Sequence, residues 1–186
     1  AAEKLMKVEV PERAQHLRVA MCELNRIASH LLFFGTFGID MGAFTAFLHA
    51  FREREMVLDL FEMVCGARLT YNYIRLGGVM VDVTPEWTAK VAEFLEYFKP
   101  KIDEYDQLIS YNPIFMARTQ GVGVISAAEA VSWSLSGPNL RGSGVAYDTR
   151  KADPYCGYEN YDFDIMVGKE GSCWDRYFCR VQEMRQ

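Results

Sequence analysis

The spacing of apolar residues near the start of the chain indicates a long helix. Around and after Pro11, a residue suited to the first turn of a helix, the intervals between apolar residues alternate between four and three. These residues are Val10, Ala14, Leu17, Met21, Leu24, Ala28 and Leu31. Such spacing places them on one face of an α-helix, whereas a strand would need alternation at every second residue. We predict a helix from Pro11 to about Asp40, with this face buried.

Two further segments show helical signals. The second helix is predicted to start between Met41 and Phe44 and to end at Gly66. The third starts at Thr84-Pro85-Glu86, which supplies a capping hydroxyl, a proline at the first position and an acid in the first turn. It should end before Asn112-Pro113, because the residue before a proline disfavours helix. Between the two helices, Gly77-Gly78 predicts a turn and a short extended piece.

The second part of the chain has a different character. From Gly121 onwards Gly, Ser, Pro and Asn are frequent and helical periodicity weakens. A short helix is predicted at residues 126–132 and a short strand within residues 155–167. The predicted fold is therefore mainly α, with an antiparallel helical bundle at residues 1–120 followed by a smaller, irregular α+β lobe at residues 121–186.

Composition excludes several classes of function. The chain has 186 residues, half of them hydrophobic, which is enough for one good core or two small ones. The net charge of -5, without a block of like charges, argues against nucleic acid as a partner. The longest apolar stretch, residues 31–39, is too short to span a bilayer directly, so we expect the chain to be soluble by itself or to lie against a membrane complex.

Cysteine and histidine usage argues against a metal site in this chain. The five cysteines are odd in number and form no Cys-x-x-Cys pair, which favours a reducing compartment over a disulfide scaffold. The three histidines lack metal-ligand spacing, and no phosphate-binding loop or nucleophile elbow is present. The sequence at each end has a helical pattern without a helix start signal at the beginning or a stop signal at the end. We therefore interpret the chain as a piece of a longer protein.

Asp40 is the leading candidate for chemistry. It follows an apolar run, and a carboxylate there must be exposed, paired or shifted towards its neutral form. Leu32 and Thr36 share its helix face at four-residue spacing, and Phe47 extends that face if the helix continues. One face would then offer apolar surface, a hydroxyl and an acid, which suits a small ring with polar oxygens. A cap for the next helix or a structural ion pair remain alternatives.

Charged residues in and beside the loops offer two further hypotheses. Arg68 and Arg75 lie beside the Gly77-Gly78 corner and suit a subunit interface, because a guanidinium makes several bonds at once. The alternative is that they pin loops through backbone carbonyls. The charge run at residues 52–55 reads as a solvated face. Alternatively Arg54, which interrupts an apolar stripe, pairs with a buried carboxylate of a neighbouring helix.

Several ordered motifs together resemble a known family. The most specific are Arg26-Ile-Ala-Ser-His-Leu-Leu32, Asp40-Met-Gly-Ala43, Phe51-Arg-Glu-Arg-Glu55, Gly66-Ala-Arg68, Arg75-Leu-Gly-Gly-Val79, Arg118-Thr-Gln-Gly-Val-Gly123 and Leu140-Arg-Gly-Ser-Gly-Val145. Their order resembles the D subunit of respiratory complex I, the proton-translocating NADH:quinone oxidoreductase, a relative of the [NiFe]-hydrogenase large subunit. The resemblance runs through nearly the whole chain.

The resemblance implies a function at the quinone site. The bundle would pack against an iron–sulfur subunit that holds the terminal cluster, beside other peripheral-arm subunits, at the cytoplasmic face of the bacterial inner membrane. Asp40 occupies the position of the aspartate that partners a quinone-contacting histidine, and Leu32, Thr36 and Phe47 match cavity-lining positions. That histidine and a quinone-contacting tyrosine should lie upstream of this sequence. This chain would bind no cofactor, would use quinone as substrate and would be inactive alone.

The sequence differs from the family pattern at two positions, and two other functions remain possible alternatives. Thr70 stands where many members have a histidine near the cluster, and Leu76 replaces a common proline. The first rival is the large subunit of a membrane-bound [NiFe]-hydrogenase-related complex, whose metal-binding Cys-x-x-Cys pairs would lie outside this sequence. The second is a non-catalytic scaffold that only bridges other subunits.

Overall fold

The computed structural model describes residues 2–186, which are mostly helical. The helices are α1 Ala2–Met6, α2 Glu12–Asp40, α3 Phe44–Cys65, α4 Pro85–Tyr105, α5 Pro113–Thr119, α6 Ala127–Ser132, α7 Gly137–Gly142, α8 Thr149–Ala152 and α9 Cys173–Glu183. A π-helical turn at Asp106–Ser110 continues α4, and a 3-10 turn covers Tyr158–Asn160. Strands β1 Ile74–Arg75 and β2 Gly78–Val79 pair antiparallel. Ala1, where the predicted N-terminal helix begins, lies outside the described residues.

The three long helices confirm the sequence prediction, including most of their ends. Helix α2 starts directly after Pro11. Helix α3 ends where Gly66 adopts the left-handed conformation, with φ of 69°, which glycine reaches without the steric cost of a side chain. The Thr84 side chain accepts a hydrogen bond from the Trp87 amide at 3.2 Å and so caps α4.

Helices α2 and α3 form a closely packed hairpin. A Cβ added at Gly35 would lie 3.1 Å from Phe47 Cα, and one added at Gly38 would lie 2.8 Å from Ala46 Cβ. The two helices approach this closely because glycine and alanine face each other at the crossing. Their other buried side chains form the core together with α4 and α9; its fully buried large members include Leu31, Phe34, Phe61, Phe94, Ile102, Tyr105 and Tyr177.

The strand predicted within residues 155–167 is wrong. Cys156 and Gly157 have φ of 54° and 84°, so the backbone turns there instead of extending. Tyr158 enters the 3-10 turn and is buried, packing edge-on against Tyr155 with ring centroids 4.9 Å apart. Residues 121–186 contain helices, this turn and loops but no strand. The short sheet lies instead between α3 and α4, so the mainly α class is confirmed whereas the α+β character of the second part is not.

A chain of buried charges joins the second part of the molecule to α2. His30 Nε2 on α2 lies 2.7 Å from Glu183 Oε2 on α9, and Glu183 Oε1 accepts hydrogen bonds from Arg141 on α7. Arg141 also lies 3.4 Å from Asp148, which pairs with Arg150 on α8 at 2.8 Å.

The same chain of charges returns to α2. Arg150 Nη1 donates to Glu23 Oε2 at 3.1 Å, two helical turns before His30. Burial alone would raise the pKa of Asp148, but hydrogen bonds from Arg150 and the nearby positive charge of Arg141 hold it at about 2. The buried charges are thus paired, as their burial requires. The division into domains at residue 120 stays a prediction.

Candidate functional site

Asp40 is the last residue of α2, and its side chain is exposed. Its carboxylate lies at the negative end of the helix dipole, and the last turn of α2 contains no basic residue. Neither structural alternative accounts for it. The next helix has Ala43 as its N-cap and receives no side-chain cap. Within residues 2–186, no cationic group lies within 4.0 Å of the Asp40 carboxylate.

The turn after Asp40 has a defined geometry. Gly42 has φ of 85°, a conformation that favours glycine. The Ala43 amide donates to Gly38 O at 2.7 Å, and the Gly42 amide donates to Ile39 O at 2.8 Å. Arg118 Nη1, from α5, donates to Met41 O at 2.5 Å. The last carbonyls of α2 therefore have partners, and the residue that carries the acid sits on an ordered helix end.

Leu32 and Thr36 lie on α2 about two turns and one turn before Asp40, respectively, and both are exposed; Leu32 retains 41% of its accessible surface. Steps of four residues separate the three side chains by about 6 Å each along the helix. The Thr36 hydroxyl donates to Leu32 O at 2.9 Å, so its proton is used within the helix while its oxygen can still accept. Together they form a short exposed strip that offers one apolar side chain, one hydroxyl and, at its end, a carboxylate.

Phe47 reaches this region in a way that the sequence did not indicate. Helix α2 stops at Asp40, so Phe47 belongs to α3 and does not extend the face along the same helix. It is half-buried because the hairpin packs it against Gly35, beside Thr36. Its ring lies 4.0 Å from that of Phe51, centroid to centroid. Hairpin packing thus brings Phe47 against Gly35 of α2, and the exposed Phe44 and Leu48 add apolar surface on α3.

The two candidate interface arginines have different surroundings. Arg68 pairs with Glu55 and Asp59 and lies 3.4 Å from Glu62, all on α3, so its guanidinium holds the loop against the helix end. Arg75, in β1, is exposed, and no side chain within residues 2–186 pairs with its guanidinium. Its role at an interface, like that of Arg68, stays a prediction.

The hairpin that carries Arg75 is held by a residue that sequence reasoning missed. Arg18 on α2 is buried and pairs with Glu3 at 2.7 Å. Its Nη2 also donates to Arg75 O at 2.8 Å and to Gly78 O at 2.9 Å. The available signal was its spacing: Arg18 lies four residues after Ala14 and three before Met21, on the predicted buried face of the helix. A buried arginine must find several hydrogen-bond acceptors.

A second missed residue is Glu53, whose carboxylate is completely buried. It accepts hydrogen bonds from Tyr105 Oη at 2.7 Å, Tyr97 Oη at 3.2 Å and Arg52 Nε at 2.6 Å. Burial raises the pKa of Tyr105, and the hydrogen bond to Glu53 raises it further. The alternative in which Arg54 pairs with a buried carboxylate is wrong: its guanidinium lies 5.4 Å from the Phe51 ring centroid.

Comparison with known proteins gives one family. Residues 40–186 match the family described as respiratory-chain NADH dehydrogenase, 49 Kd subunit. The match begins at Asp40, the last residue of α2, and continues to the last residue of the chain.

Individual relatives are similar over the whole chain. It is 55% identical to the H subunit of NAD(P)H-quinone oxidoreductase from the organellar chromatophore of Paulinella chromatophora, covering all of this chain and 46% of that protein. It is 52% identical to the D subunit of NADH-quinone oxidoreductase from Bacillus mycoides, again over the full chain and 51% of the relative. The corresponding D 1 subunit of Herpetosiphon aurantiacus is also 52% identical, with 44% of its length covered. The chain thus spans about half the length of these relatives.

Proposed function

Because the chain belongs to the family of the 49 kDa subunit of respiratory-chain NADH dehydrogenase, we propose that it forms part of the cavity where quinone is reduced in NADH:quinone oxidoreductase. The observation that carries this proposal is Asp40, an acid without a partner among the described residues, at the end of the exposed strip that Leu32 and Thr36 begin. Apolar side chains exposed near a carboxylate suit a small ring that carries polar oxygens.

Quinone reduction consumes two electrons and two protons and yields the quinol. The described residues contain no group of three or more His, Cys, Asp or Glu side chains that could hold a metal ion. They therefore do not fit an iron–sulfur cluster, and in this proposal the cluster belongs to a partner subunit. The contribution of this chain is to bind the ring and to manage charge and protons beside it.

Each candidate residue has a role that follows from its place. Leu32 and Phe47 offer apolar contacts for the ring and its substituents. The Thr36 oxygen, whose proton is donated to Leu32 O, is left to accept a hydrogen bond from a quinol hydroxyl. Asp40 would orient and charge-balance an imidazole supplied from outside the described residues, and so support proton delivery.

Partner subunits would cover this surface. An exposed carboxylate that becomes buried on assembly is costly unless it is paired, which favours a histidine or another cation opposite Asp40. Arg75 and Arg68 would face the iron–sulfur subunit or another peripheral-arm subunit. No helix among the described residues is long and apolar enough to cross a membrane. We place the protein at the cytoplasmic face of the bacterial inner membrane, with proton translocation carried out by membrane subunits.

The relatives favour this function over the hydrogenase-related rival. The named relatives are subunits of quinone oxidoreductases, one described with NAD(P)H and the others with NADH. That supports a quinone-reducing complex over a hydrogenase-related one. The scaffold alternative predicts that Asp40 can be changed without loss of turnover.

Replacement of Asp40 by Asn in the intact complex tests the proposal. Quinone turnover should fall while assembly and electron input, measured with ferricyanide as an artificial acceptor, stay normal. Asp82→Asn is the control variant. Asp82 is also an exposed acid, but it lies just before α4 and pairs with Arg13. Wild-type quinone turnover in the Asp40→Asn complex would remove Asp40 from the mechanism.

A further inference from the structure

We infer that Arg118 is a positioning residue for Asp40, an inference that rests on the proposed quinone-site function. Arg118 lies on α5, whereas Asp40 ends α2, and 77 residues separate Arg118 from its acceptor Met41. Its Nη1 donates to the carbonyl oxygen of Met41, the residue directly after the acid, at 2.5 Å. A Cβ added at Gly42 would lie 3.1 Å from the same nitrogen. The guanidinium therefore rests directly on the turn that follows Asp40.

Electrostatics explain why the turn needs this cation. The aligned peptide dipoles give the end of α2 a partial negative charge, and the Asp40 carboxylate lies at the same end. Helix α2 has no basic residue in its last turn, and α3 has no acidic residue in its first. The turn at residues 41–43 is uncharged. Arg118 is thus a positive charge supplied by tertiary structure at a helix end where two negative contributions coincide.

Helix α5 holds Arg118 in place through contacts with the core. The Asn112 side chain caps α5 by accepting from the Ile114 amide at 2.9 Å. Phe115, one turn before Arg118, is buried and packs edge-on against Phe37 of α2 and Tyr177 of α9, with ring centroids 5.8 Å and 4.8 Å away. Phe37 in turn lies one turn before Met41. Helices α5 and α2 are therefore fixed side by side where Arg118 meets the turn.

Two consequences follow for Asp40. The hydrogen bond to Met41 O restrains the last turn of α2 and with it the direction in which the Asp40 side chain leaves the helix. The positive charge of Arg118 also offsets the partial negative charge at the end of α2, next to the Asp40 carboxylate. Arg118 touches neither quinone nor the reacting atoms in this arrangement, so its effect reaches the chemistry through Asp40.

A double-mutant cycle in the intact complex tests this inference. Arg118→Gln, Asp40→Asn and the double variant are compared for kcat and KM with a short-chain quinone, and the ferricyanide rate reports electron input and assembly. Arg118→Gln should lower kcat roughly five- to tenfold, the effect of about 1 kcal/mol in the barrier, with KM changed less than twofold. The double variant should be no slower than Asp40→Asn alone, because both changes act on one group.

Two further variants separate charge from general damage. Arg118→Lys keeps the charge and should retain at least half of the wild-type kcat. This variant decides the question if Arg118→Gln fails to assemble. A kcat below a tenth of the wild-type value in Arg118→Lys, with a normal ferricyanide rate, would overturn the inference. Arg13→Gln removes an exposed arginine that pairs only with Asp82 and should leave kcat unchanged.

The outcomes distinguish failure of this inference from failure of the proposed function. Wild-type kcat in Arg118→Gln with impaired Asp40→Asn overturns the role of Arg118 and leaves the proposed function standing. Multiplicative losses in the double variant show that Arg118 does not act through Asp40. Wild-type kcat in Asp40→Asn overturns both.

Discussion

Gly38 on α2 lies so close to Ala46 on α3 that a methyl group on Gly38 would come within 2.8 Å of Ala46 Cβ. This contact sets the distance between the two helices of the hairpin. The same crossing places Phe47 against Gly35 and leads into the turn that follows Asp40. The position of the candidate site thus depends on the absence of side-chain volume at a point buried inside the hairpin.

Gly38→Ala is expected to destabilise the chain because its methyl group would force the helices apart. Overpacking of a tight core costs about 1–3 kcal/mol, of which up to about 1 kcal/mol returns through the better helix propensity of alanine. Thermal unfolding followed by circular dichroism should therefore show a lower Tm. Gly38→Ala combined with Ala46→Gly makes room for the methyl group and should recover part of the loss; an unchanged Tm in the single variant would contradict the close crossing.

Tyr105→Phe should cost more stability than Tyr97→Phe, although both remove a hydroxyl that donates to Glu53. Tyr105 is completely buried and its hydrogen bond is 2.7 Å long, whereas Tyr97 is half-buried and its bond is 3.2 Å long. Hydrogen bonds to charged groups contribute about 1.5–3 kcal/mol, and we expect the full effect only for Tyr105. Chemical denaturation of the two variants provides a matched comparison, and equal losses of stability would contradict a larger contribution from the Tyr105 hydroxyl.

Protonation of His30 should make stability depend on pH near neutrality. Burial lowers the pKa of His30 below its ordinary value of 6.5, and the opposing hydrogen bond and charge of Glu183 do not cancel this effect. The unfolded chain therefore binds a proton more readily than the folded one. The stability that this difference contributes is present above pH 6.5 and is lost as pH falls through that value towards the lower folded pKa.

His30→Gln keeps a side-chain donor for Glu183 but cannot be protonated. The difference in Tm between the wild-type chain and this variant should therefore shift against the wild type as pH is lowered from about 7.5 to about 5.5. His16→Gln is the control, because His16 is exposed. Parallel pH profiles for wild type and His30→Gln would show that His30 does not titrate differently in the folded state.

Local signals are sufficient to predict the three long helices, because the ends of these helices depend on nearby residues. Pro11, Gly66 and the Thr84 cap act within one turn of the backbone they terminate. The strand prediction failed for the opposite reason: aromatic residues near Tyr158 look strand-forming, but a strand needs a partner and the chain turns at Cys156. Pairing partners are a property of the whole fold.

The apolar pattern in the first half of α3 does not reveal that Glu53 is buried. Phe47 and Phe51 dominate the pattern, yet both are only half-buried, while Ala46 and Ala50 are fully buried. Hydrophobicity cannot identify small residues as the contact face when a glycine of the facing helix allows close approach. The pair His30–Glu183, 153 residues apart, has no local signal at all.

Asp40 could be singled out from the sequence because an acid next to an apolar run is costly wherever the run is buried. Its surroundings could not be predicted. Phe47 approaches through the hairpin crossing, and Arg118 reaches the turn from a helix far along the chain. Both contacts depend on tertiary packing that no spacing rule within α2 contains.

Photolabelling of the intact complex tests most directly whether residues 32–47 line the quinone cavity. A photoreactive quinone analogue is bound and irradiated, and the adducts are mapped by mass spectrometry, with excess unlabelled quinone as competitor. Adducts within residues 32–47 that the competitor suppresses are the expected result. Competitor-sensitive labelling of the complex that leaves this segment unmodified would contradict a quinone site beside Asp40.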